Sequence, residues 1–487
     1  MSETPYEAFE PIIGLEIHTQ LNTRTKLFSA TGYQFGNEPN SNIGVVDTGQ
    51  AGALPVLNGE AVKKAVLFGL AVGAKISLCS RFDRKSYFYP DCPRNYQITQ
   101  FDEPIIIGGE VVADVEGKSK TFAIEKAHLE DDAGMLKHFS DFAGVDFNRA
   151  GVPLIEIVST PCMRSPKEAT AYATAIRSIL QYTNVSDGNM EEGSLRIDVN
   201  VSVRPKGSTT LRNKVEIKNM NSFSNMELAI EAEIRRQIRE YLAHPNMPHK
   251  EVVPQATCRF DLAKNETVVM RTKESAADYR YFPEPDLPPL VLTEEYVENL
   301  RTKLPELPHQ RYERYVQKLE LSEYFASLLV NDKRLSDFFE RGLQTCKNAK
   351  GLCNWVCVEF VGRFKESGTH LAQSEVLPER IAELVNLIEE KVVTGRMAKE
   401  IADLMVKDPA KTPRQIIDEN PHFKPMDDTG EIEALVDQVL KENPDSIEKF
   451  RSGRERAFNF LVGQVMKLSK GKAAPHLVQE ILKKKLA

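Results

Sequence analysis

The feature that most constrains this sequence is a change in hydrophobic period near residue 290. Before it, apolar and polar residues alternate in segments such as 15–21 and 194–203, so each segment has one apolar and one polar face. This alternation predicts strands of an antiparallel sheet that packs on one side only. Helical periodicity interrupts the strands, and the predicted helices are 59–74, 166–181 and 225–242.

The proline-rich segment 281–289 separates this region from one with a period of 3.6 residues. Its prolines exclude a helix or a central strand. Apolar stripes then recur at 381–388, 398–405, 458–468 and 477–482, and Thr394 is placed to cap the second of these helices. The predicted fold class is α+β, with a β-rich antiparallel-sheet cradle domain followed by all-α helical and tail domains. We place these domains at 1–292, 293–408 and 409–487.

The polar face of the predicted sheet carries an unusual set of residues. Glu16 and His18 point the same way from one strand, and a second strand carries His128 close to Glu130 and Asp131. Clustered carboxylates repel each other unless a cation joins them, and Mg²⁺ prefers oxygen ligands. The alternative to a metal site is a solvated sheet face.

Glu156 lies in the apolar run 152–158, which is typical of a buried strand. A buried carboxylate must be protonated, paired or bound to a metal. A salt bridge to Arg149 or Arg177 is the alternative to a metal ligand.

Charged groups also alternate with apolar ones around Asp198 and in the segment 214–219. With the residues above, these describe a concave polar surface that suits a metal–nucleotide. No glycine-rich phosphate loop is indicated, because Val112 stands where a P-loop ending at Ser119 needs glycine. There is no dinucleotide-binding motif, nucleophile elbow or serine-rich amidase loop either. If this protein uses ammonia, another polypeptide must make it.

Charge is distributed unevenly along the chain. The net charge is −7, yet the segment from Ile447 to the C-terminus carries ten Lys or Arg against three Asp or Glu. Such asymmetry is typical of a phosphate-binding end on an acidic protein, or of a solvated basic helix. No stretch has the roughly 20 apolar residues of a membrane span. The seven dispersed cysteines suit a reducing compartment, so we expect a cytoplasmic protein.

An ordered set of motifs closely resembles the aspartyl/glutamyl-tRNA(Asn/Gln) amidotransferase B-subunit family (GatB). They cover essentially the whole chain: PIIGLEIH at 11–18, FDRKSYFYPD at 82–91, PLIEIVS at 153–159, MEEGSLRID at 190–198, KNMNSF at 218–223, DYRYFPEPD at 278–286 and FLVGQVMKLSKG at 460–471.

The resemblance implies a complex with two partner proteins, an amidase (the A subunit), which hydrolyses glutamine, and a small protein (the C subunit). It implies that the B subunit uses ATP and Mg²⁺ to phosphorylate the side-chain carboxylate of Glu-tRNA(Gln) or Asp-tRNA(Asn). Ammonia that arrives through an internal channel then displaces the phosphate.

The resemblance also implies roles for individual residues. The metal site is expected to comprise Glu16, His18, Glu130 or Asp131, and Glu156. Of these, Glu16, His18 and Glu156 are the expected catalytic residues. Asp198 and Glu216 are expected to contact the metal–nucleotide, and Lys218 its phosphates.

Two segments are candidates for tRNA binding. The aromatic and basic run 84–90 is suited to stacking an unpaired 3′ end and meeting its phosphates, although core aromatics are the alternative. The tRNA-binding candidates are Arg84, Lys85, Tyr87 and Tyr89, and in the basic tail Arg451, Arg454, Lys467, Lys470 and Lys472.

Two other functions compete with this interpretation. One is a stand-alone metal-dependent kinase or ATP-grasp-like ligase that acts on a small carboxylate; the basic tail argues against it. The other is a non-enzymatic tRNA-binding adaptor in which the sheet carboxylates only form salt bridges. Glu156, in its apolar run, argues against the adaptor.

Overall fold

The computed structural model of the chain describes residues 5–272, 278–420, 423, 429–451, 455–469, 473 and 475–486. The chain forms two compact units, Met1–Arg311 and Tyr312–Ala487. The first unit is built on a mixed sheet and the second is helical, which confirms the α+β prediction. None of the described helices is long and apolar enough to span a membrane.

The strands of the first unit are β1 Phe9–Gln20, β2 Lys75–Ile76, β3 Cys79–Ser80, β4 Asp83–Ser86, β5 Tyr96–Thr99, β6 Ile106–Ile107, β7 Glu110–Val115, β8 Lys118–Asp131, β9 Met135–His138, β10 Ala143–Asp146, β11 Pro153–Ser159, β12 Leu195–Pro205, β13 Val215–Met220, β14 Ala256–Asp261, β15 Glu266–Thr272, β16 Phe282–Pro283 and β17 Leu290–Val291. Its helices are α1 Gly59–Ala71, α2 Pro166–Tyr182, α3 Phe223–Ala243, α4 His249–Val252 and α5 Glu294–Arg301.

The main sheet has the strand order β15-β14-β13-β12-β1-β11-β8-β6-β2, and β7 also pairs with β8. Its pairs are antiparallel apart from β13 with β14. The central strand β1 is therefore flanked by β12 and β11, and β8 lies beyond β11. Residues far apart in sequence become neighbours where β12 pairs with β1, where β1 pairs with β11 and where β11 pairs with β8.

The two faces of β1 have different environments. Leu15 and Ile17 are buried in a core that includes Tyr172 of α2 and Ile230 of α3. Burial of each such side chain contributes about 1.5–3 kcal/mol, so this face fixes the register of the strand. Glu16, His18 and Gln20 consequently point to the opposite face, as the alternation predicted.

Side-chain caps define where the helices begin. The hydroxyl of Ser165 accepts a hydrogen bond from the backbone N–H of Glu168 at the start of α2, and Ser222 caps α3 in the same way. The helices predicted at 59–74, 166–181 and 225–242 are α1, α2 and α3, so these three predictions are confirmed. Their ends differ from the predicted ones by a few residues, because periodicity alone does not specify a cap.

The proline-rich segment 281–289 contributes the short strand β16, which pairs with β4 at the edge of a small sheet. It forms neither a helix nor a central strand, which confirms the expectation from its prolines. Glu284, within this segment, is buried.

The helices of the second unit, with α6 crossing into it, are α6 Pro308–Gln317, α7 Glu323–Asn331, α8 Lys333–Leu343, α9 Ala349–Asn354, α10 Val361–Phe364, α11 Pro378–Glu389, α12 Gly395–Lys407, α13 Pro413–Glu419, α14 Thr429–Glu442, α15 Pro444–Arg451, α16 Glu455–Leu468 and α17 Pro475–Leu486. Thr394 caps α12, as predicted. The unit contains two separate hydrophobic cores, one between residues 315 and 423 and one between 432 and 486. The three domains inferred from the sequence, with their two boundaries, stay predictions.

Candidate active site

Three adjacent strands bring a carboxylate between two imidazoles. In the register of the sheet, His18 of β1 faces Glu156 of β11, and Glu156 faces His128 of β8. Residues opposite each other in antiparallel strands share one face of the sheet. The Oε2 atom of Glu156 lies 3.4 Å from Nε2 of His18 and 3.4 Å from Nε2 of His128.

The charges and the burial of this row of side chains shift the pKa values of His18 and Glu156. Burial of the His18 imidazole lowers its pKa, but the negative charges of Glu156 and Glu130 outweigh burial and raise the pKa to about 9. Burial of Glu156 raises its pKa, yet His128 and His18 hold that pKa well below its usual value. The carboxylate is therefore ionised, and a positive charge beside it is required.

Glu130 completes the first group of candidate metal ligands. One ligand atom from each of His18, Glu130 and Glu156 lies within 4.8 Å of the others. The Oε2 atom of Glu130 is buried, and none of the described residues donates a hydrogen bond to it. A buried carboxylate oxygen without a donor is satisfied by a cation, and imidazole with two carboxylates suits a divalent ion. These residues, named here the histidine cluster, fit Mg²⁺.

A second group lies on the same face of the sheet. One oxygen from each of Glu16, Asp198 and Glu216 lies within 4.8 Å of the others. Glu16 faces Asp198 across the β1–β12 pair. Lys218 crosses this group, because its Nζ atom lies 2.6 Å from Oδ2 of Asp198 and 2.5 Å from Oε1 of Glu216. We name Glu16, Asp198 and Glu216 the lysine-bridged cluster.

A bulge in β13 positions Lys218. The β12–β13 register shifts so that Lys218 and Asn219 together oppose Asp198. Asn219 adopts a left-handed conformation with φ of 58°, which asparagine tolerates better than most residues. Its backbone N–H then donates to Oδ1 of Asp198 at 3.0 Å. Burial lowers the pKa of Lys218, but Asp198 and Glu216 outweigh burial and raise that pKa above its ordinary value.

Two neutral side chains orient the lysine-bridged cluster. Nδ2 of Asn200 donates to Oε1 of Glu16 at 2.8 Å, and the hydroxyl of Thr257 donates to Oε2 of Glu216 at 3.2 Å. The Oδ1 atom of Asn200 is buried and has no hydrogen-bond partner in the part of the chain that the structure describes. It is thus one more oxygen available to a cation.

Asp131 is not brought together with the predicted metal ligands. Side chains alternate along β8, so His128 and Glu130 share one face and Asp131 points to the other. There its carboxylate pairs with Arg94 and accepts the backbone N–H of Ile98 at 2.8 Å. Burial raises the pKa of Asp131 to about 6 despite the Arg94 charge. Of the two alternatives in the sequence, Glu130 is the one beside His18 and Glu156.

The basic residues of the run 84–90 have separate environments. Arg84 donates to Glu284 at 2.7 and 2.9 Å and to Asp286 at 3.1 Å, so it joins the run to the proline-rich segment. Burial lowers the pKa of Lys85, but the charges of Glu130 and Glu156 outweigh burial and raise it. The positive charge of Lys85 is therefore stabilised by two carboxylates of the histidine cluster.

Aromatic rings continue from Tyr87 in two directions. The Tyr87 ring centroid lies 5.9 Å from that of Tyr89 and 6.4 Å from that of Tyr279. Tyr281 lies 5.9 Å from Tyr279 and stacks on Phe101 at 4.1 Å. Tyr89 and Phe101 are exposed, and Nζ of Lys85 lies 5.2 Å from the centre of the Tyr279 ring. We name the five aromatic residues the aromatic row.

The tail candidates are only partly described. Lys467 is exposed on α16. Arg454, Lys470 and Lys472, and the side chain of Arg451, lie outside the described residues.

The buried charges argue against two of the alternatives that the sequence left open. Glu130, Asp198 and Glu216 are 3%, 6% and 7% exposed, so they do not form a solvated face. Glu156 is paired with histidines, whereas Arg149 bonds to the carbonyls of Ala133 and Gly134.

The sequence-based predictions gave no site role to His128, Arg196 or the residues of the aromatic row after position 100. His128 is two residues from Glu130 and Arg196 is two residues from Asp198, so strand periodicity contained the signal for both.

Comparisons with known proteins agree with the motifs. Residues 11–298 match the family model of the GatB/GatE catalytic domain, and residues 337–486 match the model of the GatB domain. A protein of Protochlamydia amoebophila (strain UWE25) is 59% identical to this chain, over 100% of this chain and 98% of the relative. Proteins of Chlamydia pneumoniae and Chlamydia abortus (strain DSM 27085 / S26/3) are 58% and 56% identical, and each alignment covers 98% of both sequences. All three are described as the B subunit of aspartyl/glutamyl-tRNA(Asn/Gln) amidotransferase.

Proposed function

The chain belongs to the GatB family of tRNA-dependent amidotransferase subunits, and from this premise we propose that it activates a tRNA-bound carboxylate. The substrates are Glu-tRNA(Gln), Asp-tRNA(Asn) or both. ATP phosphorylates the side-chain carboxylate, and ammonia from the amidase partner, the A subunit, then gives Gln-tRNA(Gln) or Asn-tRNA(Asn). With the small C subunit, these proteins form a heterotrimer that acts in the cytoplasm.

The reaction needs activation because the leaving group of a free carboxylate would be oxide. A carboxylate oxygen attacks the γ-phosphorus of ATP, the bond from that phosphorus to the β-phosphate oxygen breaks, and ADP leaves. The nitrogen of ammonia then attacks the carbonyl carbon of the acyl phosphate, loses a proton, and inorganic phosphate leaves. Both steps depend on positioning and on charge neutralisation more than on covalent help from the protein.

The observation that carries the proposal is the pair of largely buried acidic clusters on one face of the sheet. The histidine cluster and the lysine-bridged cluster each bring three ligand atoms within 4.8 Å of one another. His18, Glu130 and Glu156 would hold one Mg²⁺, and Glu16, Asp198 and Glu216 would hold another. Ions held there would neutralise the phosphates and the charge that develops during transfer.

Lys218 is proposed to contact the nucleotide. It now pairs with Asp198 and Glu216. With these carboxylates holding a cation, the ammonium group of Lys218 would be free to bind a phosphate, since an ammonium is not itself a metal ligand. The lysine-bridged cluster is therefore the better candidate for the metal that accompanies ATP.

The aromatic row is proposed to receive the 3′ end of the tRNA. Stacking of an unpaired base on an aromatic ring contributes about 1–3 kcal/mol and tolerates any base. Tyr89 and Phe101 are exposed. Lys85 lies beside Tyr279, and the charges of Glu130 and Glu156 raise its pKa. A tRNA 3′ end stacked here would place its aminoacyl ester near the histidine cluster. Arg84 is engaged with Glu284 and Asp286, so its role is to support the row.

The basic tail is proposed to contact the body of the tRNA through Arg451, Arg454, Lys467, Lys470 and Lys472. Charge reversal at Lys470 and Lys472 should weaken tRNA binding and reduce its dependence on salt, because fewer counterions are released. Affinity measured across a salt series checks this. An unchanged slope would leave the tail as a solvated basic helix.

The test of the proposal uses the complete heterotrimer and follows release of ADP. Turnover of ATP should require Glu-tRNA(Gln) or Asp-tRNA(Asn) and should not occur with the same tRNAs uncharged. Equal turnover with uncharged tRNA, or none at all, contradicts it. Turnover with free glutamate or aspartate would favour the small-carboxylate ligase, and tRNA binding without turnover would favour the adaptor.

A further inference from the structure

Arg196 is a cation on the polar face of the sheet that belongs to neither acidic cluster. On β12 it faces His18 of β1, and it precedes Asp198 by two residues. Cross-strand partners and residues two apart share a face. The guanidinium therefore lies on the same face as the histidine cluster and the lysine-bridged cluster, next to a member of each.

Asp132 holds this guanidinium. Its Oδ2 atom accepts a hydrogen bond from Nη2 of Arg196 at 2.8 Å and from Nε2 of Gln20 at 3.2 Å, and it lies 3.5 Å from Nε of Arg149. Asp132 is 4% exposed, so these contacts are shielded from water. Two arginines share one carboxylate, which leaves the group with one positive charge in excess.

The remaining donors of Arg196 are available. A guanidinium carries five N–H donors. Among the described residues, Arg196 uses one of them in a hydrogen bond, which it donates to Asp132. The Nε atom is buried and has no acceptor there. The Arg196 side chain as a whole is 26% exposed, so a ligand can reach the outer part of the guanidinium. A guanidinium with spare donors binds an anion with two oxygens through charge-assisted hydrogen bonds.

We propose that Arg196 binds the side-chain carboxylate of the aminoacyl group at the 3′ end of the tRNA. The inference rests on the proposed function, because that function brings a carboxylate to this face. A carboxylate that approaches two acidic clusters is repelled by them, and a fixed guanidinium offsets that repulsion. The planar fork of Arg196 matches two carboxylate oxygens.

The same contact separates substrate from product. Amidation replaces the carboxylate with a neutral amide, so the charge-assisted hydrogen bonds to Arg196 are lost and the product leaves more readily. Hydrogen bonds to charged groups are stronger than neutral ones, and we expect Glu-tRNA(Gln) to bind about tenfold more tightly than Gln-tRNA(Gln).

The experiment compares these two acylated forms of one tRNA, bound to the complete heterotrimer without ATP, by filter binding. The variants are Arg196→Gln, Arg196→Lys and Arg149→Gln. Arg149→Gln is the matched control, because it removes the other arginine from Asp132. Arg196→Gln should abolish the preference for Glu-tRNA(Gln), Arg196→Lys should reduce it, and Arg149→Gln should retain it. Thermal unfolding of each variant shows which of them are folded.

Several results overturn the inference while leaving the proposed function intact. They are the absence of a preference in the natural protein, a full preference in Arg196→Gln, and equal losses in Arg196→Gln and Arg149→Gln. If Arg196→Gln does not fold, Arg196→Lys decides alone, and a full preference there overturns the inference. ATP turnover with Glu-tRNA(Gln) tests the proposed function separately.

Discussion

The histidine cluster and the lysine-bridged cluster contain the same number of candidate ligands but neutralise them differently. Glu156 lies between two imidazoles at 3.4 Å. Asp198 and Glu216 share the ammonium of Lys218 at 2.6 and 2.5 Å. An imidazole becomes a metal ligand once it loses its proton, whereas an ammonium must move aside for a cation. This difference is the basis on which we propose a resident ion at the histidine cluster and, at the lysine-bridged cluster, an ion that arrives with the nucleotide.

The largest effect is expected at the histidine cluster. Glu156→Gln removes the charge that two histidines and a cation share, so ATP turnover with Glu-tRNA(Gln) should fall by about 100-fold or more. Binding of tRNA, measured by filter binding, should be unchanged. Glu10→Gln is the matched control, since Glu10 lies on the same strand as His18 but pairs with Arg204 at 2.7 Å. Full activity in Glu156→Gln would remove this residue from the site.

The second effect distinguishes the clusters by their cations. Lys218→Met removes the ammonium that competes with a metal ion, and we expect about tenfold tighter Mn²⁺ binding without nucleotide. Paramagnetic resonance titration of free Mn²⁺ measures this affinity. The KM for ATP should rise in the same variant, because a phosphate contact is lost. The control is Lys120→Met, at an ion pair with Glu168 outside both clusters. Unchanged Mn²⁺ affinity would mean that Lys218 does not occupy a metal position.

An effect of similar size is expected from Asn200→Ala, which removes the hydrogen bond to Glu16 at 2.8 Å. Loss of a bond to a charged group predicts a rise of about tenfold in the KM for ATP. Steady-state kinetics measures this, with Asn213→Ala as the control because Asn213 bonds to the backbone of Val253. An effect on tRNA affinity with an unchanged KM for ATP would assign Asn200 to the other substrate.

The smallest effect is expected from Thr257→Val. This nearly isosteric change removes one hydrogen bond to Glu216, so the KM for ATP should rise about threefold. Thr267→Val, which removes a hydrogen bond to Glu233, should leave the KM unchanged. A larger change in the control than in Thr257→Val would attribute both effects to packing.

The faces of the strands could be predicted from the sequence, but their neighbours could not. Alternation along β1 correctly placed Glu16 and His18 on one face. Residues two apart on a strand are separated by about 6.6 Å, however, so these two side chains enter different clusters. Their assignment to one metal site stays a prediction, and the structure places the two side chains in separate groups of candidate ligands.

The cross-strand rows depend on strand order, which no local pattern contains. His18, Glu156 and His128 meet only because β11 lies between β1 and β8. The pairing of β1 with β12 likewise brings Arg196 opposite His18. For Asp131, periodicity alone could have predicted the face of the side chain. Asp131 is the neighbour of Glu130 on β8, so it cannot share the face of His128 and Glu130.

The most direct test of the account follows an oxygen atom. Glu-tRNA(Gln) labelled with ¹⁸O in the side-chain carboxylate is converted by the complete heterotrimer with ATP and glutamine, and the inorganic phosphate is analysed by mass spectrometry. If the carboxylate is phosphorylated, the oxygen that bridges carbon and phosphorus leaves with the phosphate, and each phosphate carries one ¹⁸O. Formation of Gln-tRNA(Gln) with unlabelled phosphate would contradict the account.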